Sequence, residues 1–155
     1  MKTMGVSELY QKLERKDYEV FFELEVGFCT AFEEIEEKPA FLKAFIALVN
    51  WNNLSSSDGV YAFYEEYIPE RADETYLIAV MAVVSTLGDA EEIGRYFRSG
   101  IPEEMKDMAL DERETIYRVI DDYIDHHFDA IWETEKKILT NYKQEIMGLF
   151  SIEKE

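Results

Sequence analysis

The chain of 155 residues contains 34 aspartates and glutamates against 16 lysines and arginines, which gives a formal charge of −18 and a pI near 4.4. Affinity for DNA or RNA comes largely from basic side chains that neutralise phosphates. The charge therefore argues against direct nucleic-acid binding, and it disfavours an anionic membrane surface for the same reason. Hydrophobic residues make up 47% of the chain, which is too many for a disordered acidic protein. We expect one folded domain, residues 1–155, with a strongly negative surface.

The cysteine content and the apolar segments predict where the protein resides. Cys29 has no second cysteine to pair with, which favours a reducing cytoplasm. Its acidic and apolar neighbours should raise the pKa of the thiol, so we expect a buried structural cysteine. Met1 to Lys12 lacks the apolar core of a signal peptide, and the longest uncharged apolar stretch, Tyr76 to Gly88, is shorter than the roughly 20 residues that span a bilayer. The sequence thus predicts a cytoplasmic protein.

The hydrophobic pattern is helical throughout and predicts an all-α domain of about seven or eight helices, with a long C-terminal helix. A first helix is expected to start after Ser7. A second, from about Asp17 to Glu37, carries one apolar stripe. Pro39 should open the third helix, which is expected to end near Trp51.

The middle of the chain is marked by residues that favour turns and caps. The polar run Asn52 to Asp58 predicts a loop, with Asp58 as the N-cap of a short helix that Pro69 stops. Asp73 should cap the next helix, Tyr76 to Leu87. Because that helix is apolar nearly all round, we expect it to be the central and most buried one.

The last part of the chain predicts three further elements. Asp89 should start a short helix that ends by Gly100 to Pro102. Glu103 and Glu104 should begin the next, since negative charge suits a helix N-terminus. From about Asp111 to Phe150 we expect one long helix or two collinear ones.

The acidic residues are concentrated in two segments. Asp17 to Glu37 holds eight acids and no base, and Glu103 to Glu135 holds twelve acids and three bases. The first segment ends in a cluster at the unfavourable, negative end of a helix dipole. The cluster consists of Glu33, Glu34, Glu36 and Glu37.

The second segment contains the run DDYIDHHFD, which includes Asp121, Asp122, Asp125 and Asp129. Asp121, Asp125 and Asp129, followed by Glu133, are spaced by four and so share one helix face, about 6 Å apart along the axis. Like charges at that spacing cost a few tenths of a kcal/mol per pair. Either this face is merely solvated, or it is a row of carboxylates that a basic partner recognises.

The two adjacent histidines raise the question of a metal site. Asp122 and His126 are four residues apart and, with Asp125, could hold a divalent metal. His127 falls on the apolar stripe and is expected in the core or at its edge. The sequence has no Gly-rich phosphate loop, G-x-S-x-G or H-E-x-x-H motif, so we predict no cofactor.

A segment in the middle of the chain carries a family resemblance. Asp58 to Tyr64 (DGVYAFY) is followed by an apolar helix that ends at Gly88. The segment resembles the helical domain family of the bacterial DNA-mimic protein, whose members share the pattern G-G-F-x-Q-Y-F. Gly59 matches the second glycine and Val60 takes the phenylalanine position. Phe63 and Tyr64 match the aromatic pair, whereas Asp58 replaces the first glycine. The resemblance covers about residues 40–123 and implies an all-α fold and a dimerising, acidic imitator of DNA.

Three functions are compatible with these features. The first is a non-enzymatic acidic interaction protein, a DNA mimic that binds a basic or DNA-binding protein and that forms a homodimer. The second is an immunity or antitoxin-like protein that neutralises one toxin. The third is a metal-dependent helical enzyme that uses Asp122, Asp125 and His126. For the first, we expect the contacts to come from the two acidic clusters. The residues are Glu33, Glu34, Glu36, Glu37, Asp121, Asp122, Asp125 and Asp129.

Overall fold

The computed structural model describes residues 5–88 and 90–153. Over these residues the chain forms α-helices and one π-helix, without a strand. The α-helices are α1 (Val6–Arg15), α2 (Phe22–Glu33), α3 (Ala40–Ser57), α4 (Ile68–Arg71), α5 (Glu74–Val84), α6 (Glu91–Ser99), α7 (Pro102–Met105), α8 (Leu110–Asn141) and α9 (Lys143–Glu153). The π-helix, Phe63–Tyr67, leads directly into α4. The predicted all-α fold with a long C-terminal helix is confirmed.

The central helix is α3 rather than α5. It packs against α2, α5, α8 and the π-helix, and every residue from Ala44 to Val49 is buried. The prediction for α5 was wrong because that helix, although uncharged after Glu74, leaves Ile78 and Ala82 exposed to solvent. An apolar sequence shows that a helix can be buried on all sides, but the neighbouring elements decide whether it is.

The predicted loop at 52–58 is the last part of α3. Asn52 is buried, and the hydroxyls of Ser56 and Ser57 donate to the carbonyl of Asn53. Hydrogen bonds of this kind satisfy serine hydroxyls inside a helix. The prediction of a loop, which was based on the polar composition, was therefore wrong. Asp58 ends α3 rather than capping the next helix. Gly59 follows with φ of 91°, the left-handed conformation that commonly closes a helix.

Pro69 does not stop the short helix, as the sequence predicted, but lies within α4. The turn before it is a π-helix, in which the Ile68 N–H donates to the Phe63 carbonyl five residues back. Proline lacks an N–H and clashes with the carbonyl four residues earlier in a regular α-helix. The wider π-turn accommodates Pro69 without ending the helical path.

Other helix boundaries are close to the predictions, with local differences. The first helix begins at Val6 and is closed by Lys16, whose φ is 55°, and α2 begins at Phe22 rather than at Asp17. The predicted cap of α5 is confirmed, since Asp73 accepts a hydrogen bond of 2.8 Å from the Thr75 N–H. The predicted start of the following helix, at Asp89, lies outside the described residues. That helix, α6, ends at Ser99, as predicted.

The C-terminal region forms two helices separated at Tyr142, and α8 is itself kinked at His127 (φ −134°, ψ 24°). The Nδ1 atoms of His126 and His127 bond to the carbonyls of Asp122 and Tyr123, at 2.7 and 2.8 Å. Each is the carbonyl four residues earlier, which a backbone N–H contacts in a regular helix, so side-chain insertion accounts for the kink. The placement of His127 in the core was wrong, because the residue is exposed and its ring stacks on Tyr123.

None of the helices in the described part of the chain combines the length and the apolar composition that crossing a bilayer requires.

Candidate functional site

The first acidic cluster lies at the exposed C-terminal end of α2. Glu33 is the last helical residue and Glu34 is its cap, and Glu36 and Glu37 follow in the bend before α3. All four side chains are exposed, whereas Ile35 between them is buried. The four glutamates therefore form an exposed patch, and the buried Ile35 anchors this segment to the core.

The second acidic cluster is not one continuous row. Asp121 is half-buried, and its Oδ1 accepts hydrogen bonds from the Ser55 hydroxyl at 2.6 Å and the Val60 N–H at 2.8 Å. It therefore fixes the end of α3 and the entry to the next helical segment. The expectation that Asp121 is exposed in a row with its neighbours was wrong, because it is half-buried and its Oδ1 is bonded within the fold, whereas its role as a contact residue stays a prediction.

The kink divides the remaining acids. Asp122 and Asp125 precede it and line one groove, whereas Glu133 follows it and lines a different cleft. There Glu133 forms an ion pair of 3.1 Å with Lys136. Asp129 is exposed between them. The prediction that these acids share a single helix face was wrong. It was based on their spacing of four residues, which places side chains on one face only in a straight helix.

The groove that Asp122 and Asp125 line lies between the C-terminal half of α3 and the kink of α8. Its volume is about 440 Å³. Its walls combine carboxylates with the aromatic rings of Phe128 and Trp132, which meet edge to face at 5.2 Å. We call it the acidic groove. Its lining residues are Asn52, Asn53, Ser55, Ser56, Asp121, Asp122, Ile124, Asp125, Phe128 and Trp132.

Two carboxyl groups that the sequence did not single out meet below this groove. Glu25 of α2 and Glu135 of α8 are both fully buried, with 0% of each residue exposed. The carboxyl of Glu25 faces Glu135, Asn53 and the indole of Trp132. None of the Glu25 and Glu135 carboxyl oxygens has a hydrogen bond of standard geometry, and neither does Trp132 Nε1. Such unpaired groups are rare in protein interiors, and burial without partners favours the uncharged, protonated form of a carboxyl.

The environment of this pair favours the protonated form of each carboxyl. Burial raises the pKa of Glu135 well above its ordinary value of 4.5, and the adjoining Glu25 raises it further. Burial also raises the pKa of Glu25, although the neighbouring Glu135, Trp132 and Asn53 side chains oppose the shift. Two like charges cannot both be accommodated in a low-dielectric interior, so at least one carboxyl holds its proton.

Asn53 and Trp132 connect the pair to the surface, because both also line the acidic groove. Glu25 and Glu135 lie in the two acid-rich segments, and each segment contributes one carboxyl to the interior. The helical spacing around Glu25 is a local signal that could have revealed it, since Leu24, Glu25 and Phe28 share the buried face of α2. The meeting with Glu135 could not have been read from the sequence.

Cys29 lies near this cluster and is half-buried rather than fully buried, while the predicted rise in the pKa of its thiol is confirmed. It packs against the core, and burial raises the pKa of its thiol well above the ordinary value, with further contributions from Glu135 and Glu25. A thiol held protonated in this way is a poor nucleophile.

The histidine and aspartates that could hold a metal are not arranged as ligands. The His126 Nδ1 is engaged with the backbone carbonyl of Asp122, not with a carboxylate. Across residues 5–88 and 90–153, no group of three or more histidine, cysteine or acidic side chains is placed to hold a metal ion.

Comparison of the chain with protein-family models, with curated proteins and with solved structures finds no match. The resemblance to the DNA-mimic family stays a prediction.

Proposed function

We propose that this protein is a non-enzymatic acidic interaction protein, and that it binds a basic protein partner, of the kind that itself binds DNA. The observation that carries the proposal is the acidic groove, where Asp122 and Asp125 lie beside the rings of Phe128 and Trp132. Among the described residues that line it there is no lysine or arginine. The groove therefore offers unneutralised carboxylates at a point where a side chain can be enclosed.

The chemistry of the groove suits an arginine or lysine side chain of the partner. A guanidinium or ammonium group placed there can pair with the two aspartates and lie over an aromatic ring. The ring of Phe128, with 44% of its surface exposed, is accessible to such a side chain. Carboxylates combined with aromatic rings recognise a cationic side chain more specifically than a charged surface alone.

The net charge supports the same class of partner. A formal charge of −18 steers a basic protein toward the chain at low ionic strength, and salt screens the attraction. The exposed cluster Glu33, Glu34, Glu36 and Glu37 lies outside the groove and adds to this long-range field. In this account the cluster accelerates association, and the groove determines which side chain is held.

The test measures binding of a fluorescent oligoarginine peptide to the wild type and to the double variant Asp122→Asn/Asp125→Asn. We expect the double variant to bind about tenfold more weakly at low salt, because both paired charges are removed. The matched control, Asp107→Asn/Glu114→Gln, removes two exposed charges elsewhere and should lower the affinity by about twofold or less.

Equal losses in the two double variants would mean that the peptide responds only to net charge, and the groove would then have no role as a binding site. Capture from a nucleic-acid-free lysate completes the test. Immobilised wild-type protein should retain DNA-binding proteins at low salt and release them at high salt. Retention of acidic or neutral proteins only would contradict the proposed partner class.

A further inference from the structure

A second groove is apolar and shares no residue with the acidic groove. It has a volume of about 860 Å³ and lies between α4, α5 and the segment that enters α7. Its floor is formed by Tyr64, Ile68 and Leu77, which are buried. Its walls include Ile78 and Met81. A volume of this size is within the range that holds ligands or the side chains of a partner.

The exposed face of α5 is unusual for so charged a chain. Ile78 has 67% of its surface exposed, the largest fraction among the large exposed hydrophobic residues, and Ala82 one turn later is also exposed. The sequence of α5 has no charged residue after Glu74, although 32% of the whole chain is charged. Apolar side chains four residues apart on the exposed side of a helix form a surface against which a second helix can pack.

The charges at the rim select the occupant. Asp73, Glu74 and Glu103 line the groove, and no lysine or arginine is found among the described lining residues. Hydrogen bonding from Thr75 lowers the pKa of Asp73, so its carboxylate stays ionised. A second copy of this chain would bring a second acidic rim against the first, and an anionic lipid would be repelled in the same way.

We propose that the apolar groove binds an amphipathic basic helix of a protein partner. The apolar side chains of that helix would pack against Ile78 and Met81, and its lysines or arginines would pair with Glu74 and Glu103 at the rim. Helix-in-groove recognition of this kind uses anchors at positions i, i+3 or i+4, and i+7. The proposal concerns a surface separate from the acidic groove and does not depend on the function proposed above.

The experiment uses a synthetic helical peptide of leucine and lysine with all leucines on one face. The second probe has the same residues shuffled, so that no apolar face exists. The wild type should bind the amphipathic peptide at one to one, and Ile78→Ser should weaken binding about tenfold. Leu110→Ser removes another exposed apolar side chain (59% exposed) and should leave the affinity unchanged. A second groove variant, Ala82→Lys, should also weaken binding, because it places positive charge on the exposed face.

An indole signal locates the peptide independently. Trp51 Nε1 donates to the Tyr64 hydroxyl at 3.0 Å, and Tyr64 lies on the floor of the groove. In a 1H–15N spectrum the Trp51 indole signal should therefore shift on binding. Equal affinities for Ile78→Ser and Leu110→Ser, or equal binding of the two peptides, would overturn the proposal. So would a dimer in sedimentation that Ile78→Ser dissociates, since a second copy would then occupy the groove.

Discussion

At the scale of single residues, the least expected feature of this acidic chain is the pair Glu25 and Glu135. Both are fully buried and lack hydrogen bonds of standard geometry, although neutral residues would fill the space without a desolvation cost. Because two like charges cannot share this interior, at least one of the two carboxyls keeps its proton. The stability of the fold is therefore linked to pH.

The sign of this linkage follows from the raised pKa values. Below about pH 4.5 both folded and unfolded chains hold the protons, and the contribution of the protonated pair is fully present. As pH rises through the folded-state pKa, the unfolded chain has already released its protons, so stability is lost. We expect Glu135→Gln to unfold at higher urea concentration than the wild type at pH 7. The gain should be about 1.4 kcal/mol for each pH unit that separates the ordinary pKa of 4.5 from the folded-state pKa, or from pH 7 where the folded-state pKa lies higher.

The free energies of unfolding of the wild type and Glu135→Gln should be compared from pH 5 to pH 8. Both proteins experience the general charge repulsion of a chain with a formal charge of −18, so a difference between them reports on the buried pair. The free energies of unfolding should diverge as pH rises. Parallel curves would show that the pair does not hold a proton in the folded protein.

Gly100 is a second residue whose identity is set by packing. A Cβ at this position would overlap the ring of Tyr64, which is fully buried and whose hydroxyl donates to the Phe97 carbonyl at 2.5 Å. The ring cannot move away without losing that bond. Gly100→Ala should therefore destabilise the protein by about 1–3 kcal/mol in urea denaturation.

Gly148 is the matched control, since nothing lies within 4 Å of a Cβ there and the residue is inside α9. Gly148→Ala should be neutral or stabilising by up to about 1 kcal/mol. A loss of stability in Gly148→Ala as large as in Gly100→Ala would contradict the packing account.

At the scale of elements, Asp121 joins three parts of the fold. Asp121 lies on α8. Its carboxylate accepts hydrogen bonds from the hydroxyl of Ser55, near the end of α3, and from the Val60 N–H at the start of the next helical segment. Because that N–H would otherwise have no partner, Asp121→Ala should lower the free energy of unfolding by about 1–3 kcal/mol. Asp122→Ala, one residue later and exposed, should be within about 0.5 kcal/mol of the wild type.

This result would separate two explanations of the carboxylates on α8. If Asp121 belonged to a row of mutually repelling charges, its removal would stabilise the protein instead, because the repulsion would be relieved. Thermal unfolding of the two alanine variants gives the answer, and a higher melting temperature for Asp121→Ala would contradict the structural role.

The sequence indicates the elements well where a local signal decides them. The apolar stripe predicts the buried face of α2, and Asp73 is correctly predicted as the cap of α5. It fails where a polar side chain is satisfied inside a helix. The serines near the end of α3 bond back to earlier carbonyls, and the imidazole of His127 does the same at the kink of α8. Composition cannot distinguish such back-bonding from a loop.

At the scale of the whole molecule, the distribution of charge depends on contacts between distant segments. The two acid-rich segments were predicted to display their carboxylates, yet Glu25 and Glu135 meet in the interior and Asp121 is engaged within the fold. The exposed character of Asp122 and Asp125 agrees with the sequence analysis. The ring of Trp132 beside them could not be predicted, because the kink and the packing of α3 create the groove.

The central claim is that the acidic groove holds a cationic side chain, and the chain provides its own paired reporter. It contains two tryptophans: Trp132 lines the acidic groove, whereas Trp51 is buried and hydrogen-bonded to Tyr64. The most direct measurement is the shift of the two indole 1H–15N signals during titration with the oligoarginine peptide. We predict a saturable shift of the Trp132 signal, lost in Asp122→Asn/Asp125→Asn, while the Trp51 signal stays in place. An unchanged Trp132 signal at saturating peptide, or equal shifts of both signals, would contradict the claim.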